Sequence, residues 1–166
     1  MRPGRTLRPV AEHTLLVRNL DGLRTWVSEL SAVLPRKNVR FFLSGDLGTG
    51  KTAFSKLYLA SQGHQGKVLS PSFGIVISYS CHDTEIHHFD CYRLQGGAEL
   101  QDLDLDLYLD DRACLLVEWP ENGMTNLVSP DIHLHFSHQL ADADTRSIRV
   151  EIFCPTIAHS LAQLFY

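Results

Sequence analysis

The sequence predicts an α/β domain, a three-layer sandwich with a mixed, mainly parallel central sheet and flanking helices. Short apolar runs of strand type recur along the chain, and segments with a helical spacing of apolar residues stand between several of them. A glycine-rich loop joins one such strand to one such helix. With 166 residues, the chain has the length of one domain that can bury a substantial core.

The composition is that of an ordinary globular domain. Apolar residues make up 44% of the chain and charged residues 20%, and no apolar run is long enough to cross a membrane. The net charge is −4, whereas a protein that grips a nucleic acid backbone by itself usually presents a basic face. We therefore expect no membrane span and no DNA binding, and expect contact with RNA only through a partner.

Residues 1–11 are predicted to form a flexible basic tail ahead of a domain over residues 12–166. The tail lacks the apolar core that a secretory signal needs. The four cysteines have no C-x-x-C spacing, which favours free thiols in a reducing, cytoplasmic setting.

The first elements lead up to the glycine-rich loop. His13–Arg18 is a possible edge strand, and Asp21 is a possible N-cap for the helix that follows. Pro35 ends this helix, and Val39–Leu43 is an apolar strand directly before the loop. The helix is indicated by apolar residues at helical spacing, namely Leu23, Trp26, Val27, Leu30, Val33 and Leu34.

The loop fits the phosphate-binding pattern G-x-x-x-x-G-K-[ST] at every fixed position. Its residues are Gly45, Asp46, Leu47, Gly48, Thr49, Gly50, Lys51 and Thr52. Glycines allow the tight turn that points successive N–H groups at one anion. Lys51 adds a positive charge for the β- and γ-phosphates, and the Thr52 hydroxyl can ligate Mg²⁺. Ala53–Leu59 opens a helix with its N-terminus towards the phosphates, ending at Gly63. The sequence therefore predicts a nucleoside triphosphate site.

A hairpin is predicted next, from Gly74–Tyr79 and Glu85–Asp90 across a turn at Cys81–Thr84. Between residues 96 and 111, leucines alternate with aspartates, which by period favours a strand. Three of the leucines also share one helical face, and a pair of glycines suits a helix start. We favour a helix there.

The last third of the chain supplies three more strands and a helix. Ala113–Glu118 is a continuous apolar run that ends in an acid, which is typical of a central strand covered on both faces. Ile132–Phe136 and Ser147–Phe153 alternate in polarity and are expected to pair over a turn at Ala141–Asp144. A short helix is predicted over Thr156–Phe165.

Two acids could complete the nucleotide site. Glu118 follows four apolar residues, so a buried strand would deliver its carboxylate to the C-terminal edge of the sheet, where α/β sheets bind ligands. Asp90 ends its own apolar strand in the same way. Hydrolysis needs Mg²⁺ held by an acid and a positioned water. Either acid could hold the metal while the other orients the water.

Other polar groups are weaker candidates. His87-His88 and His133-x-His135 could ligate a metal, but no third and fourth ligand stands at a recognised spacing. Ser70 has no general base near it in sequence, which disfavours a nucleophile.

Four segments together resemble one known family. They are Gly45–Thr52 (GDLGTGKT), Ser70–Phe73 (SPSF), His88–Leu94 (HFDCYRL) and Val117–Pro120 (VEWP), in this order and at these spacings. Over residues 12–155 the chain is similar to the TsaE family, also called YjeE, the small ATPases of bacterial tRNA threonylcarbamoyladenosine synthesis.

The resemblance implies a fold with a P-loop core and an ATP-hydrolysing role in the modification of adenosine 37 of tRNA. It implies ATP and Mg²⁺ as cofactors, and TsaD and TsaB as protein partners through which tRNA is reached. Hydrolysis would reset the TsaD–TsaB pair between turnovers rather than perform the transfer.

The resemblance also implies roles for individual residues. Lys51 and Asp90 would serve hydrolysis, and Thr52 with Glu118 and Asp90 would form the Mg²⁺ site. Trp119 would shape the nucleotide pocket. The phosphates would be cradled by Gly48, Thr49, Gly50, Lys51, Thr52 and Ala53, with Ser70–Phe73 as a mobile segment near the γ-phosphate and Asp21 near the adenine.

Some positions depart from the family pattern. Ala53 stands where a second hydroxyl residue is usual and Gly74 where threonine is usual, whereas Ser72 keeps the hydroxyl of the usual threonine. We expect normal ATP binding and slow hydrolysis by the chain alone. Two other functions remain open at this point: a P-loop kinase of a small metabolite, and a nucleotide-dependent regulatory switch with little turnover. The N-K-x-D signature of guanine recognition is absent, which favours ATP.

Overall fold

The structure is a computed structural model that describes residues 8–71, 74–82, 84–94, 100, 103–110, 112–140 and 142–165. The helices and strands of these residues follow in chain order as β1 (Ala11–Arg18), α1 (Asn19–Val33), β2 (Arg40–Ser44), α2 (Lys51–Ser61), β3 (Val76–Cys81), β4 (Thr84–Asp90), β5 (Cys114–Glu118), β6 (Ile132–Gln139), β7 (Asp142–Ile152) and α3 (Pro155–Leu161). None of the described helices has the length and apolar character needed to cross a membrane.

The strands form one seven-stranded sheet in the order β1-β7-β6-β2-β5-β4-β3. The inner pairs β6–β2, β2–β5 and β5–β4 are parallel. The outer pairs β1–β7, β7–β6 and β4–β3 are antiparallel. The predicted α/β fold with a mixed sheet is confirmed, and its parallel pairing lies in the middle. The sheet carries the loop strand β2 between β5 and β6, as a ligand site at the C-terminal edge requires.

The two faces of the sheet are covered differently. The three described α-helices pack on one face, over a core that includes Phe41, Phe54 and Tyr58. The other face buries Phe42 and Val117 under the segments that follow β4 and β5. In the described residues these covering segments contain short 3₁₀ turns, at Leu105–Leu107, Pro120–Asn122 and Met124–Asn126.

Two local predictions were wrong. Asp21 does not cap α1: the side chain of Asn19 accepts hydrogen bonds from the backbone N–H groups of Asp21 and Gly22, at 3.0 and 3.1 Å. Asparagine tolerates the left-handed backbone found there, at φ 57°, and therefore takes this place. The turn before β7 is also tighter than expected, because β7 already begins at Asp142.

The helix predicted between residues 96 and 111 falls partly outside the described residues. Residues 95–99, 101–102 and 111 are not described. Within the described part, Leu100 has α-helical backbone and is fully buried in the core opposite the three helices. Leu105–Leu107, by contrast, is a 3₁₀ turn. The alternation of leucine and aspartate there thus does not belong to a strand.

Replacement of Phe41 by alanine is expected to lower the free energy of unfolding by about 3–5 kcal/mol. Its ring is fully buried and packs against Phe54 and Tyr58, with ring centroids 5.5 and 4.8 Å apart. Urea unfolding followed by circular dichroism measures the loss. Leu16→Ala, at a side chain 67% exposed, should change the same quantity by no more than about 0.5 kcal/mol, and equal losses in both variants would contradict this account of the core.

Candidate phosphate-binding site

The loop between β2 and α2 has a backbone that only glycine can adopt at its two ends. Gly45 has φ 135°, and a Cβ there would lie 2.2 Å from the carbonyl oxygen of Phe136 on β6. Gly50 has φ 116° and stands at the N-terminus of α2. Both positions are fixed glycines of the pattern, so the predicted strand–loop–helix arrangement is confirmed in detail. The N-terminus of α2 therefore opens towards the cradle of the loop.

The amine of Lys51 is folded back onto the loop that precedes it. Its Nζ donates hydrogen bonds to the carbonyl oxygens of Gly45 and Asp46, at 2.5 and 2.8 Å, and lies 4.0 Å from the ring centroid of Trp119. The residue is only 4% exposed. Burial lowers the pKa of Lys51, against a smaller opposing effect of nearby carboxylates, of which Glu118 is the largest. A phosphate would have to displace these carbonyls to reach the amine.

Glu118 connects the loop to the neighbouring strands. Its Oε2 accepts a hydrogen bond from the Thr52 hydroxyl at 2.8 Å, and its Oε1 lies 2.8 Å from Nε2 of His88. The Ser55 hydroxyl donates to the same Oε1 at 3.3 Å. The side chain is only 2% exposed. A buried carboxylate next to a loop hydroxyl offers hard oxygen donors, so Thr52 and Glu118 fit Mg²⁺ in their chemistry.

Asp90 lies beside Glu118, because the two residues are register partners of the parallel pair β4–β5. Its Oδ2 accepts a hydrogen bond from the Ser70 hydroxyl at 3.2 Å, and its Oδ1 accepts one from the backbone N–H of Tyr92 at 3.1 Å. The structure thus brings Ser70 to the second acid from twenty residues away in sequence. The rest of the predicted mobile segment, Ser72 and Phe73, lies outside the described residues.

A cavity of about 330 Å³ opens beside the loop, away from Lys51. Such a volume is within the range of small-molecule pockets. Its wall from the loop includes Gly48 and Ala53, and its other walls come from α1 and the β6–β7 hairpin, where Leu20, Phe136 and Arg146 contribute. Thr49 and Gly50 also line it. Four of the six residues predicted to cradle phosphate therefore border this cavity.

Among the predicted site residues that do not line this cavity are Asp21, Trp119 and Leu47. Asp21 is not among its lining residues: its side chain is 83% exposed and pairs with Arg24 at 2.5 Å. Trp119 stacks over Lys51 instead, and Leu47 is exposed at the tip of the loop. Their predicted contacts with a nucleotide stay predictions.

Glu118 has two polar contacts that the sequence analysis did not place in this site, His88 and Ser55. His88 is fully buried, and its Nδ1 has no hydrogen-bond partner among the described residues. The alternation of side chains along a β-strand could have identified His88. His88 stands two residues before Asp90 and so shares its face of β4, next to the strand that carries Glu118.

Comparison with known proteins identifies the family to which the chain belongs. A family model described as "Threonylcarbamoyl adenosine biosynthesis protein TsaE" matches residues 17–148. The chain belongs to the TsaE family. The matched residues include the loop and both acids.

Individual TsaE relatives agree with this assignment. The tRNA threonylcarbamoyladenosine biosynthesis protein TsaE of Haemophilus influenzae is 36% identical over 102 residues, which cover 61% of this chain and 65% of that protein, slightly less than two thirds of its length. The protein of the same name from Streptomyces coelicolor is 37% identical over 114 residues, 67% of this chain and 76% of its own. The crystal structure of Bacillus subtilis YdiB aligns over 97% of both chains with a TM-score of 0.68 and 24% identity, which supports the same fold.

Proposed function

We propose that this TsaE-family chain binds ATP with Mg²⁺ and hydrolyses it as a component of tRNA threonylcarbamoyladenosine synthesis, acting with a TsaD–TsaB pair. The observation that carries the proposal is the contact between the Thr52 hydroxyl and the Glu118 carboxylate, 2.8 Å apart at the loop. It joins a phosphate-binding loop to an acid at the end of the adjacent strand, and hydrolysis of a nucleoside triphosphate requires both.

The site residues have separate roles in the proposed hydrolysis of ATP. Thr52 and Glu118 would hold Mg²⁺, which would supply positive charge against the phosphates. Lys51 leaves the carbonyls of Gly45 and Asp46 and binds the β- and γ-phosphates as a point charge. Asp90 accepts a hydrogen bond from the attacking water, in place of the one that Ser70 now donates. Asp90 is the register partner of Glu118, and Glu118 is the acid that contacts Thr52, which supports metal binding by Glu118 and water binding by Asp90.

The hydrogen bonds of Lys51 and Thr52 support slow turnover by the chain alone. Lys51 is held by two backbone carbonyls, and Thr52 is held by the acid that would share its metal. Each of these hydrogen bonds has to break before the cation and phosphates take their places. A partner that favours the open arrangement would speed the reaction without adding a catalytic group.

The direct test measures phosphate release from ATP and Mg²⁺ with and without a purified TsaD–TsaB pair. We expect stimulation by the pair, and Asp90→Ala should abolish release while ATP binding persists. Phosphate that appears on a metabolite instead of in solution would indicate a kinase. Formation of modified tRNA that survives Asp90→Ala but not Lys51→Ala would indicate a switch that needs nucleotide binding alone.

ATP affinity is expected to fall as the pH is raised towards the ordinary lysine pKa of 10.5, because burial lowers the pKa of Lys51 below that value. Only the protonated amine attracts phosphate. The effect of pH on stability has the opposite sign. Because the pKa of Lys51 is lower in the folded chain than in the unfolded chain, the unfolded chain binds this proton more tightly. The contribution of Lys51 to the free energy of unfolding therefore rises with pH between the lowered pKa and 10.5. Calorimetric titration with ATP over the alkaline range measures the first effect, and Lys51→Arg, which stays charged, should lack it.

A further inference from the structure

A second cluster of polar side chains lies on the face of the sheet opposite the helices. His133, His135 and Glu151 each offer a ligand atom there, and these atoms all lie within 4.8 Å of one another. The three side chains are 16%, 27% and 16% exposed. The ring of Phe42, from that face, packs edge-on against His133. We call these three residues the His–Glu cluster.

Strand pairing supplies Glu151, the third residue of the His–Glu cluster. The sequence places two histidines at alternate positions of β6 but offers no further ligand nearby. In the β6–β7 hairpin, Glu151 is the register partner of His133, which brings a carboxylate up to both imidazoles. The rings of His133 and His135 are stacked, with centroids 3.9 Å apart.

The two oxygens of Glu151 have separate surroundings. Its Oε1 accepts a hydrogen bond from Nη1 of Arg149 at 2.6 Å. Its Oε2 lies 2.8 Å from Nε2 of His135 and 4.0 Å from Nδ1 of His133. Only Oε2 therefore faces both imidazoles, and Arg149 fixes the orientation of the carboxylate.

The hydrogen bonds around His133 determine where its proton lies. Its Nε2 is 2.8 Å from the Ser44 hydroxyl, and that hydroxyl donates its single proton to Glu121 at 2.9 Å. Ser44 must therefore accept from Nε2–H of His133. With its proton on Nε2, the ring of His133 directs the lone pair of Nδ1 at Glu151, 4.0 Å from Oε2. Two acceptors then face each other with no proton between them.

We propose that His133 Nδ1, His135 Nε2 and Glu151 Oε2 bind a divalent transition-metal ion of the Zn²⁺ class, with water as fourth ligand. Two imidazoles and one carboxylate suit Zn²⁺, whereas Mg²⁺ and Ca²⁺ prefer oxygen donors. Bond lengths of about 2.0–2.2 Å to a tetrahedral zinc ion place the ligand atoms about 3.3 Å apart. The observed separations of 2.8 and 4.0 Å bracket this value. The ion takes the place of the proton between His135 and Glu151, and that proton moves to Nδ1 of His135 or to solvent.

The outer contacts match those of known metal sites. A ligating histidine commonly donates its other ring N–H to a fixed acceptor, which sets the tautomer and the ring orientation. His133 has this arrangement through Ser44 and Glu121. Ser44 directly precedes Gly45, so an ion in the cluster would stiffen the start of the phosphate-binding loop. Binding of the ion by the His–Glu cluster does not require ATP hydrolysis.

The test is a titration of the chelator-treated full chain with Zn²⁺, in the presence of Mg²⁺, by calorimetry and by thermal unfolding. Wild type should bind one equivalent and melt at a higher temperature as Zn²⁺ is added. His133→Ala and His135→Gln should lose at least tenfold in affinity, and Ser44→Ala about 10–100-fold through the orientation of His133. No binding by wild type, or unchanged binding by His135→Gln, would overturn the proposal.

Matched controls separate this site from other Zn²⁺ ligands. His138→Ala removes an exposed histidine of the same strand, Cys154→Ser removes the free cysteine with the least burial, and Glu118→Gln alters the predicted Mg²⁺ site. All three should bind Zn²⁺ as wild type does. If the cluster variants fail to fold, the absorption spectrum of the wild-type chain with Co²⁺ tests the proposal instead. We expect a spectrum typical of tetrahedral Co²⁺ with nitrogen and oxygen ligands. A thiolate charge-transfer band would contradict the proposed site.

Discussion

Glu118→Gln is expected to reduce ATP hydrolysis by about 100-fold or more, with a much smaller change in ATP affinity. Glutamine keeps the volume of the buried side chain but removes the negative charge that faces Thr52 and the predicted Mg²⁺. The substitution leaves the predicted phosphate contacts of Lys51 and of the loop N–H groups unchanged. Charge stabilisation in the transition state is therefore lost while most ground-state binding remains.

Phosphate release with the TsaD–TsaB pair present measures this effect, and calorimetric titration measures ATP affinity. Glu29→Gln, at an exposed acid of α1, is the matched control and should hydrolyse ATP at the wild-type rate. Because Glu118 also accepts hydrogen bonds from Ser55 and lies against His88, thermal unfolding must show that the variant is folded. Hydrolysis at the wild-type rate in the folded variant would show that Glu118 does not bind the Mg²⁺ that hydrolysis needs.

The parts of the site that follow from local chemistry could be predicted from the sequence. Gly45 and Gly50 are required by the backbone of the loop itself, so a fixed spacing of residues identifies them. Glu118 follows a run that only a central strand can bury, and the parallel pair β2–β5 places it against the loop. Each of these features depends on neighbours in the chain or on a simple period.

The parts that depend on long-range register could not be predicted. Ser70 reaches Asp90 only because its segment passes the C-terminal end of β4, and no local pattern encodes that path. Glu151 joins His133 through the pairing of β6 with β7, which also depends on the length of the turn between them. Asp21 failed as a cap for a different reason. Asn19, two residues earlier, can adopt the left-handed backbone that the entry to α1 requires.

Lys51→Ala is expected to weaken ATP binding by about 100-fold. The amine would make hydrogen bonds to charged phosphate oxygens, each of which contributes about 1.5–3 kcal/mol, and alanine can make none. Part of that free energy already offsets the loss of the bonds to Gly45 and Asp46, at 2.5 and 2.8 Å, which the amine must give up when phosphate arrives. The net effect is therefore smaller than the sum of two such contacts.

Titration calorimetry with ATP and Mg²⁺ measures this loss, with Lys56→Ala as the control because Lys56 is exposed on the same helix. Thermal unfolding without nucleotide checks that the variant folds. The removal of a buried amine, whose charged form burial disfavours, should not by itself unfold the chain. Undiminished ATP binding by folded Lys51→Ala would mean that the amine stays docked on Gly45 and Asp46 when nucleotide is bound. The loop would then serve as a structural turn, and the nucleotide would have to be held elsewhere.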